Sequence, residues 1–167
     1  KSVLYDRLPR KGYDHQDVHR LAARDRHVFS ALMLANGHGD GLVTGATRKS
    51  AHVLGLLNHV LPVSVDDGAV GVTALLHKGR IVLIADTLVH EWPEEDDLVH
   101  IAMRAAGTAR SLGLDPRVAF VSFSTFGYPI SERSEKMALA VAALEKQGVD
   151  FEFDGEMNVD VALNSDV

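Results

Sequence analysis

The sequence has 167 residues, 46% of them hydrophobic, and a formal net charge of −6 from 17 basic and 23 acidic side chains. That length and balance let roughly two-thirds of the unfolded surface be buried in one core, and the basic residues form no block of the kind that marks a nucleic-acid binder. No cysteine is present, which removes disulfides, thiolate nucleophiles and Cys-based zinc sites; no apolar run approaches the ~18 residues of a membrane span and no charged-then-apolar leader opens the chain, so one soluble cytoplasmic domain is expected.

The chain begins at Lys1 in polar, turn-rich sequence. Asp14 then predicts a helix N-cap, with Asp17 at the third position, and Val18, Leu21, Ala22, Phe29, Leu32 and Met33 recur at helical spacing before Asn36 and Gly37. Asp25 falls where the stripe needs an apolar residue, which predicts either a kink dividing two helices or a carboxylate paired with Arg24 or Arg26. A short strand is expected from Leu42 to Thr44. After Gly45 comes a helix from about Thr47 to Leu61 that buries Val53, Leu56, Leu57 and Val60 and ends at Pro62.

A turn cluster, Val63 to Gly68, precedes two apolar runs, Val70–Leu76 and Arg80–Ala85, which read as a β-hairpin around a three-residue loop, His77, Lys78 and Gly79. Pro93 opens a helix whose first turn is Glu94, Glu95, Asp96 and Asp97, carboxylates favoured by the N-terminal dipole. Its stripe is Leu98, Ile101, Ala102, Ala105, Ala109 and Leu112, closed by Gly113. The segment Arg117 to Leu163 reads as strand (to Phe123), hydroxyl-rich turn, helix, strand and an acidic Asp154-Gly155-Glu156 turn. The helix is capped by Ser131, buries Met137, Ala140, Val141 and Leu144, and stops at Gly148. Helices alternating with strands plus one hairpin predict an α/β fold, a layered mixed sheet with flanking helices.

Three places carry chemistry. In LVTGATRKS, Leu42 to Ser50, a strand passes through Gly45 into a helix N-terminus, surrounded by Thr44, Thr47, Arg48, Lys49 and Ser50. Free N–H groups, hydroxyls and positive charge together suit a phosphate; the same pattern also describes an ordinary capped turn. Ser122, Ser124, Thr125 and Gly127 follow a strand, where α/β sheets tend to bind ligands, or where hydroxyls simply cap their own loop. Asp154 and Glu156 suit orienting Arg48 or accepting from ligand N–H groups, or mark a plain turn, and Asp86-Thr87 has the same two readings.

Other classes find no support. His15 and His19 share a helix face, but no third metal ligand is implied. Gly37-His38-Gly39-Asp40-Gly41 precedes a strand rather than following one, so it is no dinucleotide fingerprint. No serine sits in a nucleophile elbow. Trp92 and Phe126 read as an apolar patch, or Trp92 as a half-buried anchor for the helix after it.

The ordered motifs SFSTFG, EKM and DGEMNVDVALN resemble the phosphotransacetylase-like (phosphate acetyl/butyryl transferase) family in spacing. LMLANGHGDGLVTGATR and GRIVLIADTLVHEWPEEDDLVHIAMRAAGTARSLG extend the likeness over nearly the whole chain. Within the family, RLPRKGYDHQDVHRLAARDRHVFSALM and VTGATRKS look closer to the C-terminal phosphotransacetylase-like domain of bacterial multidomain NADP-dependent malic enzymes. The resemblance implies the end of the first lobe (1–46) and the second lobe (47–167) of the two-lobed phosphotransacetylase/isocitrate-dehydrogenase-like fold, with the ligand cleft between lobes.

It further implies a regulatory domain that binds acetyl-CoA, or a related acyl-CoA or acyl phosphate, through Thr44, Gly45, Thr47, Arg48, Ser122, Ser124, Thr125, Asp154 and Glu156. The same domain is implied to form a homodimer. The family's catalytic Ser-Arg pair and Asp lie beyond the DGE motif, and dedicated transacetylases usually carry a His and paired threonines where this chain has Thr47-Arg48-Lys49-Ser50. The implied domain is therefore not itself catalytic and holds no cofactor, NADP and a divalent Mg or Mn ion belonging to a malic enzyme part elsewhere. An active phosphate acetyltransferase and a purely structural dimerisation module are the alternatives.

Overall fold

The computed structural model describes residues 14–61 and 68–164, and the chain forms two compact units, Lys1–Gly68 and Ala69–Val167. Pro62 and the turn cluster expected at 63–67 lie outside the described residues, as do residues 1–13.

In the first unit, α1 (His15–Arg24) starts where Asp14 accepts the Asp17 N–H at 2.7 Å. Asp25 divides the long amphipathic stretch. It is extended, its own N–H closes α1 on Leu21, and its carboxylate accepts the His27 and Val28 N–H groups (2.9 and 3.2 Å) that open α2 (Arg26–Ala35). The kink expected there is real: the Asp25 backbone N–H closes α1 and its carboxylate opens α2. Helix α3 (Ser50–Val60) completes a core of Val18, Val28, Ala31 and Val60, with Leu21, Leu32, Leu42, Leu56 and Leu57 packed around it. Phe29 and Met33, assigned to the buried stripe, instead face outward.

Two expectations here are corrected. Leu42–Thr44 is not a strand; Leu42 packs on the core while Val43 is exposed, with no ladder partner among the described residues. The following helix begins at Ser50 rather than near Thr47. Gly45 and Ala46 both take positive φ (122° and 65°), and the Thr47 N–H bonds back to the Gly45 carbonyl at 2.9 Å, so the chain turns before it can wind.

The second unit opens with the antiparallel pair β1 (Val72–His77) and β2 (Arg80–Ala85). Its loop has two residues, not three: His77 pairs with Arg80, leaving Lys78 and Gly79 with φ of 47° and 80°, the left-handed pair that a type I′ turn requires. Helix α4 (Glu95–Ser111) has a reciprocal cap between Glu94 and Asp97 and buries Leu98, Val99, Ile101, Ala102, Ala106 and Ala109. Leu112 lies past that face and is exposed.

Strand β3 (Arg117–Val121), two residues shorter than expected, α5 (Glu132–Gln147) and β4 (Glu152–Met157) form a parallel β-α-β unit, with the helix as the crossover that parallel pairing needs. Ser131 caps α5 and left-handed Gly148 ends it, as the sequence predicts. Leu98, Val99, Ala102, Phe120, Ala140 and Leu144 make the core between the two helices and the strand pair. The short α6 (Val159–Ala162) follows. The α/β class holds; the strands supply one antiparallel and one parallel ladder of two strands each. The acidic motif is not a turn, however, because Asp154, Gly155 and Glu156 lie inside β4.

Candidate functional site

Hydroxyls, a cation and uncapped backbone donors meet at the turn entering α3. Thr44, Thr47 and Arg48 are exposed, and Arg48 Nη1 donates to His52 Nε2 at 3.3 Å. Lys49, the N-cap residue, makes no side-chain hydrogen bond to the helix, while the His52 N–H already bonds the Lys49 carbonyl at 3.1 Å, so the Ser50 and Ala51 N–H groups are the ones with capacity for an anion. Thr44 is held from behind: its Oγ1 lies 2.5 Å from Nδ1 of buried His27 on α2. The sequence singled out Thr44, Gly45, Thr47 and Arg48 but not His27.

The second candidate lies at the carboxyl ends of β3 and β4, where the structure gathers Ser122, Ser124, Thr125 and Glu156. Ser124 is 0% exposed, and its Oγ donates to Ser122 Oγ at 3.1 Å. Thr125 and Tyr128 pair around Phe126 and Gly127, both at positive φ. Glu156, 2% exposed, anchors that turn twice, its Oε1 accepting the Gly127 N–H at 2.7 Å and its carbonyl the Phe126 N–H at 2.9 Å. Asn158, which the sequence reading passed over, completes the knot. With its amide oriented to satisfy its neighbours, Nδ2 donates to the Ser122 and Phe123 carbonyls, both at 2.9 Å, and Oδ1 accepts from Thr125 Oγ1 at 3.1 Å.

The polar groups of Ser124 and Glu156 are thus engaged with the loop itself. Asp154 stands apart from them, exposed, and accepts the N–H of Gly155. A signal for Asn158 existed in its position between a strand and a helix, where a side-chain amide commonly substitutes for missing backbone partners.

Asp86 resolves in favour of the turn. Its Oδ1 accepts N–H groups from Gly71, Leu88 and Val89, and its Oδ2 accepts the His90 N–H and lies 2.5 Å from His90 Nδ1. Burial pushes this carboxyl up, but the hydrogen bonds from Leu88, His90 and Val89 outweigh it and hold the pKa at about 2. Thr87 Oγ1 lies 2.9 Å from Thr73 Oγ1. Trp92 is no half-buried anchor; it is 64% exposed, with the Arg133 guanidinium 4.1 Å from its ring centroid. Among the described residues, no three His, Asp or Glu side chains converge as a metal site, and no helix is long and apolar enough to cross a membrane.

A parallel β-α-β unit with hydroxyls gathered at its strand ends has the layout of α/β proteins that bind ligands at strand carboxyl ends. The chain belongs to the Phosphate acetyl/butaryl transferase family, whose profile matches residues 2–167. It is 48% identical over 164 residues to an NADP-dependent malic enzyme of Rhizobium meliloti, a match spanning 98% of this chain and 22% of that protein. It is 30% identical over 155 residues to a phosphate acetyltransferase of Bacillus subtilis, spanning 92% of this chain and 48% of the relative. A phosphotransacetylase structure from Streptococcus pyogenes shares the fold, with a TM-score of 0.83 at 23% identity, over 99% of this chain and 52% of the other. The chain therefore spans about a fifth of the malic enzymes and half of the transacetylases it resembles.

Proposed function

We propose that this chain is the acyl-CoA-binding regulatory and dimerising domain of a cytoplasmic NADP-dependent malic enzyme, not itself catalytic. The observation that carries the proposal is the 48% identity, spread over 98% of this chain, to a 22% share of such an enzyme. Oxidation and decarboxylation of malate, with the NADP and divalent cation they need, belong in this reading to the remainder of the parent protein.

The ligand is acetyl-CoA or a related acyl-CoA or acyl phosphate, with a phosphate oxygen taken by the turn Thr44-Gly45-Ala46-Thr47, the Ser50 and Ala51 amides that open α3, and Arg48. Exposure and the absence of a side-chain cap support that turn. Within the second unit, Ser122, Thr125 and Asp154 are a separate set of candidate contacts at the strand-end loop, while Ser124 and Glu156 keep that loop in shape. Titration calorimetry of the full-length protein with acetyl-CoA tests the assignment, Arg48→Ala being expected to weaken binding about tenfold. Unchanged affinity would remove Arg48 from the site. Regulation is allosteric only if acetyl-CoA also changes malate turnover, and a dimer by light scattering is expected.

One rival has a specific observation behind it, the phosphate acetyltransferase relative that covers 92% of this chain. An active transferase would make acetyl-CoA from acetyl phosphate and CoA. Turnover by the full-length protein would favour that reading, and ligand binding without turnover would favour the regulatory one.

A further inference from the structure

His27 is the second residue of α2, 1% exposed, and its ring reaches across seventeen positions of sequence to an exposed threonine. Nδ1 lies 2.5 Å from Thr44 Oγ1, while Nε2 is buried without a hydrogen-bond partner among the described residues. We propose that His27 is a positioning residue: its buried ring fixes the Thr44 hydroxyl so that Thr44 presents a donor, rather than a free rotor, to a phosphate oxygen. The inference deepens the reading of the Thr44–Arg48 turn as the anion site and rests on it.

A neutral imidazole carries one N–H, so two arrangements compete. With the proton on Nε2, Thr44 must spend its hydrogen inward on Nδ1, and the ring buries an N–H donor with no acceptor, which costs about 1–3 kcal/mol. With the proton on Nδ1, the ring donates to Thr44 Oγ1 and only an acceptor lone pair stays unsatisfied. Orphaned acceptors are tolerated more readily than orphaned donors, so the second arrangement wins. The Thr44 hydrogen is then free to turn away from the ring. Thr44 is exposed and directly precedes the left-handed residues Gly45 and Ala46, so that hydrogen points out over the turn. Phosphate oxygens accept hydrogen bonds and match such a donor.

The backbone of His27 is fixed too. Its N–H is held by the Asp25 carboxylate at 2.9 Å, so the ring is carried on a capped helix start and its placement does not depend on a mobile loop.

The test is a mutant cycle in the full-length protein, titrated calorimetrically with inorganic phosphate and with acetyl phosphate. Thr44→Val and His27→Phe are each expected to weaken binding about tenfold, and the double variant to be no weaker than Thr44→Val alone, since both remove one interaction. His27→Asn, whose amide offers a donor near the Nδ1 position, should recover binding to within about threefold. A purely structural role would lower the thermal midpoint without this pattern. Native phosphate affinity in His27→Phe, additive losses in the double variant, or no recovery in His27→Asn would overturn the proposal. An unaffected Thr44→Val would instead overturn the anion-site reading beneath it. Should His27→Phe fail to fold, His27→Gln, with no donor at the Nδ1 position, takes its place in the cycle.

Discussion

Gly155 and Phe120 face each other across the β3–β4 ladder so closely that a Cβ on Gly155 would lie 2.8 Å from both the Cβ and the carbonyl oxygen of Phe120. Gly155 also sits at φ 144°, where side chains are strained. Gly155→Ala is therefore expected to destabilise the protein by about 3 kcal/mol, combining overpacking with backbone strain. Trimming the neighbour will not rescue it, because alanine at position 120 keeps both clashing atoms, the Cβ and the carbonyl oxygen. Urea titrations of Gly155→Ala, alone and combined with Phe120→Ala, check this, the predicted result being a lower midpoint with unchanged slope in the single variant.

Asp86 predicts a pH dependence. Its folded pKa of about 2 lies below the ordinary 3.8, so between those values the unfolded chain binds more protons than the folded one, and stability rises with pH. The contribution is fully present above about pH 4 and is lost as pH falls through 2, amounting to roughly 2 kcal/mol. Asp86→Asn should flatten the stability profile between pH 4 and pH 2. It should also destabilise at neutral pH, since an amide NH₂ cannot accept the N–H groups now bound by the carboxylate. Chemical denaturation at stepped pH reads both effects, and an unchanged acid slope in Asp86→Asn would contradict the assignment.

Element types were legible in the sequence wherever local chemistry and packing agree. Asp25 interrupting an apolar stripe announced the α1–α2 division, and Ser131 and Gly148 marked the ends of α5 because capping is a local property. Misreadings fall where tertiary contact decides. Asp154-Gly155-Glu156 reads locally as a turn, yet Gly155 is glycine because the Phe120 backbone passes against it within a strand. Leu42–Thr44 has strand composition, but a strand needs a ladder and these residues have none among the described residues. At the candidate sites the exposed residues were legible; of their supports, Ser124 and Glu156 were picked out as ligand contacts, and His27 and Asn158 were not picked out. His27 and Asn158 act across 17 and about 33 positions respectively, distances over which no periodicity reports.

The Asp25 carboxylate accepts two N–H groups at the start of α2, whereas Asp14 accepts one at the start of α1. Losing two N–H acceptors in a half-buried place costs more than losing one at an exposed start. Asp25→Ala is thus expected to cost about 2 kcal/mol and Asp14→Ala about 1 kcal/mol or less. Asp25→Ser, which retains an N-cap oxygen, should recover most of the loss. Thermal melts of the three variants give the comparison, and equal losses at positions 14 and 25 would contradict the two-bond cap.

Leu144 and Leu139 share helix α5 but lie on opposite sides of the packing boundary. Leu144 is 0% exposed in the core with Leu98, Phe120 and Ala140, while Leu139 is 53% exposed. Truncation at Leu144 removes buried apolar area and leaves a cavity that the surrounding side chains fill only in part, a loss of about 3 kcal/mol. At Leu139 the same truncation removes little buried area, and alanine's better helix propensity offsets part of that, so the change should stay within about 0.5 kcal/mol. The contrast also probes the α5 face beyond this chain. Solved relatives of the fold are about twice as long, and if Leu139 is covered in the full-length protein, Leu139→Ala will cost more there than in residues 1–167 alone. Paired denaturation of both variants in both contexts reads the difference, and equal costs for Leu139→Ala in the two would mean that this face stays open to solvent.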